Sequence, residues 1–210
     1  MLIKNILHLI IVLGVSLSSI SIANGQIFNE KFGVYGGINV SNFYGDEDIG
    51  ETDARSAYVF GTYYKYELDR RMFLIPRLQF ISKGGHYNYK NDNPGGEALI
   101  QLHYMELPVL LAFENRRRVG FHIGPYLGLL LAASAEDHRH AASVSASSFT
   151  NFELGGMLGV SGRVNRFFLG LDIAGGLTEI GKSKLIDEEE VNFVGSAKNL
   201  GLMFTVGFFF

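Results

Sequence analysis

The sequence predicts an all-β protein, a closed antiparallel barrel of about eight strands in an up-and-down meander, and three observations carry that prediction. From Lys31 onward, extended segments of about ten to fifteen residues recur with turn-forming residues between them. The connections alternate strictly between short and long. Within the segments, apolar residues alternate with small or polar ones at period two, as in a strand whose two faces meet different surroundings.

The chain enters the first strand at Phe32 to Ser41, and a long connection, Asn42 to Arg55, leads to the second at Ser56 to Leu68. Asp69-Arg70-Arg71 makes a short turn into Met72 to Gly84, and Gly85 to Ala98 is the next long connection. Leu99 to Glu114 follows, then the short Asn115-Arg116-Arg117-Arg118 turn, then Val119 to Ala133. Ser134 to Ser148 is long, Phe149 to Val164 is the sixth strand, and Asn165-Arg166 turns directly into Phe167 to Gly176. Leu177 to Ala197 is the last long connection before the final strand, Lys198 to Phe210.

Composition agrees with this reading. The 210 residues are 47% hydrophobic, yet after the first two dozen no apolar run approaches the roughly 20 residues that a membrane helix needs. Gly 26, Tyr 10 and Phe 17 against Pro 4 suit sheets with tight turns. A net charge of -3 leaves no broad basic surface, which argues against nucleic acid or an anionic leaflet as a partner. Cysteine is absent, so disulfides, thiolate metal sites and a lipidated N-terminal cysteine are excluded together.

The first 25 residues read as a signal peptide: Lys4, an apolar stretch from Ile6 to about Ile22, then the small residues Ala23-Asn24-Gly25. The barrel domain is then expected over 26–210, beginning at Gln26. An exported chain with hydrophobic strands and no spanning helix points to the outer membrane, where barrels have short periplasmic turns and longer extracellular loops. Both termini are expected on the periplasmic side. A sheet in hydrocarbon cannot leave an open edge unpaired, so the last strand is expected to pair with the first.

Parity gives each strand one lipid-compatible face. Val119, Phe121, Ile123, Pro125, Leu127, Leu129 and Leu131 lie opposite Gly120, His122, Gly124, Tyr126 and Gly128. In the last strand Leu200, Leu202, Phe204, Val206, Phe208 and Phe210 point outward, and Gly201, Met203, Thr205 and Gly207 inward. Ending on Phe210, with Phe208 before it, this strand resembles the signal read by outer-membrane barrel-assembly machinery. Aromatics near the strand ends suggest two interfacial girdles: Phe32, Tyr66, Phe73, Phe113, Phe121 and Phe167 toward the short turns, and Phe43, Tyr58, Phe60, Tyr104 and Phe149 toward the long loops.

Three stretches, His103 to Phe113 (HYMELPVLLAF), Phe121 to Leu130 (FHIGPYLGLL) and Phe167 to Ile180 (FFLGLDIAGGLTEI), resemble the PorT-like outer-membrane β-barrel family of Bacteroidetes. Tyr104-x-Glu106-x-Pro108 followed by Gly124-Pro125-Tyr126 carries the resemblance, together with Gly175-Gly176-Leu177-Thr178-x-Ile180. Asp172 to Gly176 departs from it in lacking an Arg-Tyr pair. The resemblance implies an outer-membrane barrel, a link to protein secretion through the name-giving member, and no catalytic residues.

Inward parity collects Lys65, Glu67, Arg77, Gln79, Glu106, His122, Glu153, Arg163 and Asp172. An eight-strand barrel is about wide enough for its own side chains, so the expected outcome is a salt-bridged interior cluster of Lys65, Arg77, Glu106, His122, Glu153 and Asp172. A narrow polar conduit for small solutes is the alternative. Glu106, Glu153 and Asp172 supply carboxylates, but no spacing ties them to a substrate pocket. A rim hydrolase, acting on lipid or peptide, is the third reading: His103 lies near the outer end of its strand on the lipid-facing side with Ser82 on its neighbour, and Asp137 with His138 would need a second acidic pair such as Asp46 or Asp48. Glu136, Asp137, His138, Arg139 and His140 hold metal-ligand types, but a solvated loop tip is the better reading. The Asp187-Glu188-Glu189-Glu190 run reads as a solvated loop as well. The expectation is therefore a non-enzymatic outer-membrane barrel without cofactor or metal, doing structural, scaffolding or secretion-associated binding work. Its expected partners are outer-membrane lipid, the barrel-assembly machinery and secretion-system proteins, with no nucleic acid.

Overall fold

The computed structural model describes residues 31–45, 52–88, 97–137, 149–181, 184–186, 189–191 and 197–210. The expected signal peptide, the loop residues Asp46 and Asp48, the tip residues His138, Arg139 and His140, and Asp187 and Glu188 lie outside them. Every described element is a strand: β1 (Phe32–Tyr44), β2 (Thr52–Tyr64), β3 (Tyr66–Asp69), β4 (Met72–Asn88), β5 (Glu97–Glu114), β6 (Val119–Asp137), β7 (Phe152–Val164), β8 (Phe167–Gly176), β9 (Lys184–Ile186), β10 (Glu189–Val191) and β11 (Lys198–Phe209). β2 and β3 are one barrel strand interrupted at Lys65, and β9 and β10 form a separate small hairpin between β8 and β11. The remaining strands make a closed ring of eight, each antiparallel to its neighbours in chain order.

Closure is made by β1 and β11, which pair from Gly33↔Phe209 to Tyr44↔Lys198. The Phe210 N–H donates to the Phe32 carbonyl at 3.0 Å, and their rings stack with centroids 5.9 Å apart. The ring thereby closes on itself, as hydrocarbon requires, with only β3 left beside a single neighbour.

Several strands facing the long connections run further than the sequence suggests, whereas β7 begins at Phe152 rather than at the expected Phe149. β4 continues to Asn88, β5 starts at Glu97, and β6 continues to Asp137, because each finds a partner there: Asn88↔Glu97 and Ala98↔Asp137. A ladder that is already paired extends at little cost in chain entropy, whatever its side chains. At the other end the bounds agree with the turns, where Arg118 (φ 61) and Asn165 (φ 54) adopt left-handed backbone.

The outward row of β6 is exposed throughout, from Val119 to Leu131, as is the row of β11 from Leu200 to Phe210 except the half-buried Leu202 and Phe208. Of the aromatics assigned to the girdles, Tyr66, Phe121, Phe167, Tyr58 and Phe60 stand on the outer surface. Phe43, Tyr104 and Phe149 do not: they are buried in the interior, and Phe73 packs against that core. Tyr104 lies midway along β5 on its inward face, and Phe43 near the end of β1 also points inward. Phe149 also precedes β7 and makes an isolated bridge to Gly181.

Candidate functional site: the barrel interior

Inward positions place a belt of polar side chains across the lumen. Arg77 (β4) donates from Nη1 to Asp172 Oδ2 (β8) at 3.2 Å, and its Nη2 is 3.3 Å from His122 Nε2 (β6). His122 Nε2 also contacts Asp172 Oδ1. Asp172 and Glu106 are fully buried, and Arg77, His122 and Glu153 nearly so. β4 and β8 stand four strands apart in a ring of eight, so the Arg77–Asp172 pair crosses the full width of the lumen.

A second layer centres on Lys83 (β4). Its Nζ lies 2.6 Å from Glu106 Oε1 (β5) and 2.8 Å from Glu153 Oε1 (β7). Gln79 Nε2 donates to Glu106 Oε2 at 2.7 Å, and Gln79 Oε1 accepts from the Tyr35 hydroxyl at 2.5 Å. Glu153 accepts from the Tyr126 hydroxyl at 2.5 Å and from Asn199 Nδ2 at 2.7 Å. Each buried carboxylate thus has several donors, the condition under which buried charge is tolerated.

The third layer lies at the short-turn end. Lys65 Nζ is 2.5 Å from Glu114 Oε1 and 3.9 Å above the Phe73 ring, while the Arg163 guanidinium lies 5.2 Å from the Phe209 ring. A cavity of about 30 Å³ separates this layer from Arg77, large enough for little more than a water.

Glycines make the interior fit. A Cβ on Gly207 would stand 2.0 Å from the Phe168 ring, and one on Gly159 would stand 2.5 Å from Asp172 Oδ1. The small residues that parity puts inside are therefore the space into which the large ones project.

The structure brings Arg77, Glu106, His122, Glu153 and Asp172 into the two upper layers and Lys65 into the third. Glu67 is a correction: its parity is inward, but it is exposed. β1 starts opposite Tyr64, so β3 extends below the ring with β4 as its neighbour, and nothing covers Glu67 there. Lys83, Tyr35 and Asn199 were not singled out from the sequence. Lys83 continues the inward row Arg77, Gln79, Ile81, and Asn199 continues that of Gly201 and Met203, so carrying the parity to the strand ends would have found them.

Among the described residues no hydrogen bond joins His103 to Ser82. His103 and Ser82 are register partners, but the Ser82 hydroxyl accepts from Arg55 Nη1 at 3.2 Å, and the His103 ring stacks at 6.0 Å on Phe80. Among the described residues no group of three His, Asp or Glu side chains is placed to hold a metal ion.

The chain is similar to solved structures of known proteins. Neisserial surface protein A is similar in structure, with a TM-score of 0.53 at 13% identity, covering 85% of this chain and 97% of its own. The attachment invasion locus protein Ail of Yersinia pestis scores 0.49 at 12% identity, covering 86% and 98%. OprG of Pseudomonas aeruginosa scores 0.44 at 12% identity, covering 86% and 95%. No curated protein matches the chain. The sequence profile described as outer membrane protein beta-barrel domain matches residues 26–181, and the chain belongs to that family, an eight-strand barrel of the outer membrane.

Proposed function

We propose that the protein is a plugged, non-enzymatic barrel whose work is structural or binding and is done at its two ends rather than through its lumen. The cross-lumen pair of Arg77 and Asp172 carries this reading, because a side-chain bridge between opposite strands occupies the axis that a solute would need. Lys65, Glu106, His122 and Glu153 serve as structural members of the same plug. Planar-bilayer recording tests it: a plugged barrel gives no stable conductance steps, and reproducible steps from the purified protein would replace this reading with that of a narrow passive channel.

The finer assignments belong to the same proposal. Residues 1–25 act as the export signal, and Phe208 and Phe210 act as the assembly signal. Their place on the closing strand supports the latter, because β11 must be delivered between β8 and β1. The resemblance of His103 to Phe113 and of Phe121 to Leu130 to the PorT-like family supports a place beside a secretion machine, with the long loops as binding surface. Crosslinking from those loops in intact cells tests this, with recovery of secretion-system proteins as the expected outcome.

A further inference from the structure

Three short turns concentrate arginine at one end of the barrel: Arg70 and Arg71, Arg116 to Arg118, and Arg166. Of the carboxylates nearby, Glu67 on β3 is exposed, and Asp69 and Glu114 are engaged elsewhere. Asp69 Oδ1 accepts the Arg70 backbone N–H at 2.7 Å, and Glu114 is held by Lys65. Among the described residues no ion pair engages Arg70, Arg71 or Arg116.

Two of these turns are tied into a fixed cleft. The Glu114 N–H donates to the Arg71 carbonyl at 2.9 Å, and Asn115 Oδ1 accepts from the backbone N–H groups of Arg117 and Val119 at 2.8 and 3.1 Å. Between them lies a space of about 290 Å³ lined by Arg70, Arg71, Phe73, Glu114, Asn115 and Arg116. Guanidinium groups facing one space are suited to the oxygens of a phosphate.

The cleft does not end at the rim. It shares Arg71, Glu114 and Asn115 with a groove of about 450 Å³ that climbs the outer wall past Phe113, Phe121, Val119 and Val160. That groove shares Val119 and Val160 with a third, of about 630 Å³, continuing over Ile38, Leu169, Leu171 and Phe204. The path is thus cationic at the turn and apolar along the hydrocarbon-facing wall. An acidic protein or a polymer of the periplasm would need the charged end alone. An amphiphile with an anionic head needs both.

We propose that this surface is a binding site for an anionic phospholipid of the inner leaflet, with its phosphate between Arg70, Arg71 and Arg116 and an acyl chain in the groove beginning at Phe113 and Phe121. The orientation rests on the membrane assignment, since short turns face the periplasm and so stand at the level of the inner-leaflet headgroups. The site then fixes one lipid class to one side of the barrel.

The experiment is native mass spectrometry of the full barrel from micelles containing equal phosphatidylglycerol and phosphatidylcholine. The wild type is expected to retain phosphatidylglycerol in preference. The triple variant R70Q/R71Q/R116Q is expected to lose that preference by about tenfold or more, whereas R166Q keeps it. These side chains are exposed and only backbone atoms of Arg70 and Arg71 bind the fold, so the heat-dependent gel shift of a folded barrel is expected to persist in the triple variant. V160W, which fills the groove, is expected to weaken retention while leaving the arginines intact, and millimolar inorganic phosphate is expected not to displace the lipid. Equal retention of both lipids, or a preference that survives the triple variant, overturns the proposal. So does displacement by inorganic phosphate alone, or arginine-dependent binding to peptidoglycan sacculi or an acidic periplasmic protein without any lipid preference.

Discussion

Arg77 and Asp172 face each other from opposite walls of the barrel, four strands apart, with Nη1 3.2 Å from Oδ2. Removing one partner leaves the other charged and buried, which costs about 3–5 kcal/mol. Arg77→Met is expected to destabilise the barrel by that order in urea unfolding from detergent. The double variant Arg77→Met with Asp172→Leu is expected to recover much of the loss, because no uncompensated charge remains. A double variant as unstable as the sum of the singles would show that the pair is not coupled.

Lys83 holds two carboxylates from different strands, at 2.6 and 2.8 Å. Lys83→Ala leaves Glu106 and Glu153 without their shared cation and opens space between them. Two buried carboxylates then lack their counter-charge, so the variant is expected to lose about 3–5 kcal/mol in urea unfolding, while the Arg77–Asp172 pair still spans the lumen and planar bilayers are expected to show no stable steps.

Two glycines separate interior from exterior. Gly207→Ala drives a Cβ toward the Phe168 ring and is expected to cost about 1–3 kcal/mol, an overpacking penalty. Gly156→Ala, whose Cβ meets nothing within 4 Å, is expected to cost far less. Unfolding midpoints of the two variants decide it, and equal effects would contradict the packing.

Charge on the outer wall should cost according to depth. Leu127 is exposed and lies midway along β6, between Phe121 and the level of His103, whereas Val164, also exposed, adjoins the Asn165-Arg166 turn. Leu127→Arg is expected to destabilise by about 2–4 kcal/mol in a bilayer and Val164→Arg by about 0–1 kcal/mol. Matching losses would mean that the hydrocarbon band does not sit where the aromatic residues put it.

Period two and turn chemistry are local properties, and what depends on them was legible. β8 has the bounds read from its residues, Phe167 to Gly176, and the inward row of β6 is Gly120, His122, Gly124, Tyr126, Gly128 in sequence and structure alike. What depends on neighbours was not. Whether Glu67 is covered follows from where β1 begins, and whether Phe43 meets lipid or lumen follows from a parity that continues past the expected end of its strand at Ser41. His122 was legible as inward, but its contact with Asp172, 50 residues away, was not.

By itself, then, the sequence determined the class, the number of strands, the two faces and the unequal ends, because alternation and turn residues act over a few positions at a time. Only the tertiary structure decided how far each strand runs, which height each interior charge occupies and which charges meet. Those depend on the stagger between strands around a closed ring. A stagger is set jointly by all the pairings, so no single strand encodes it.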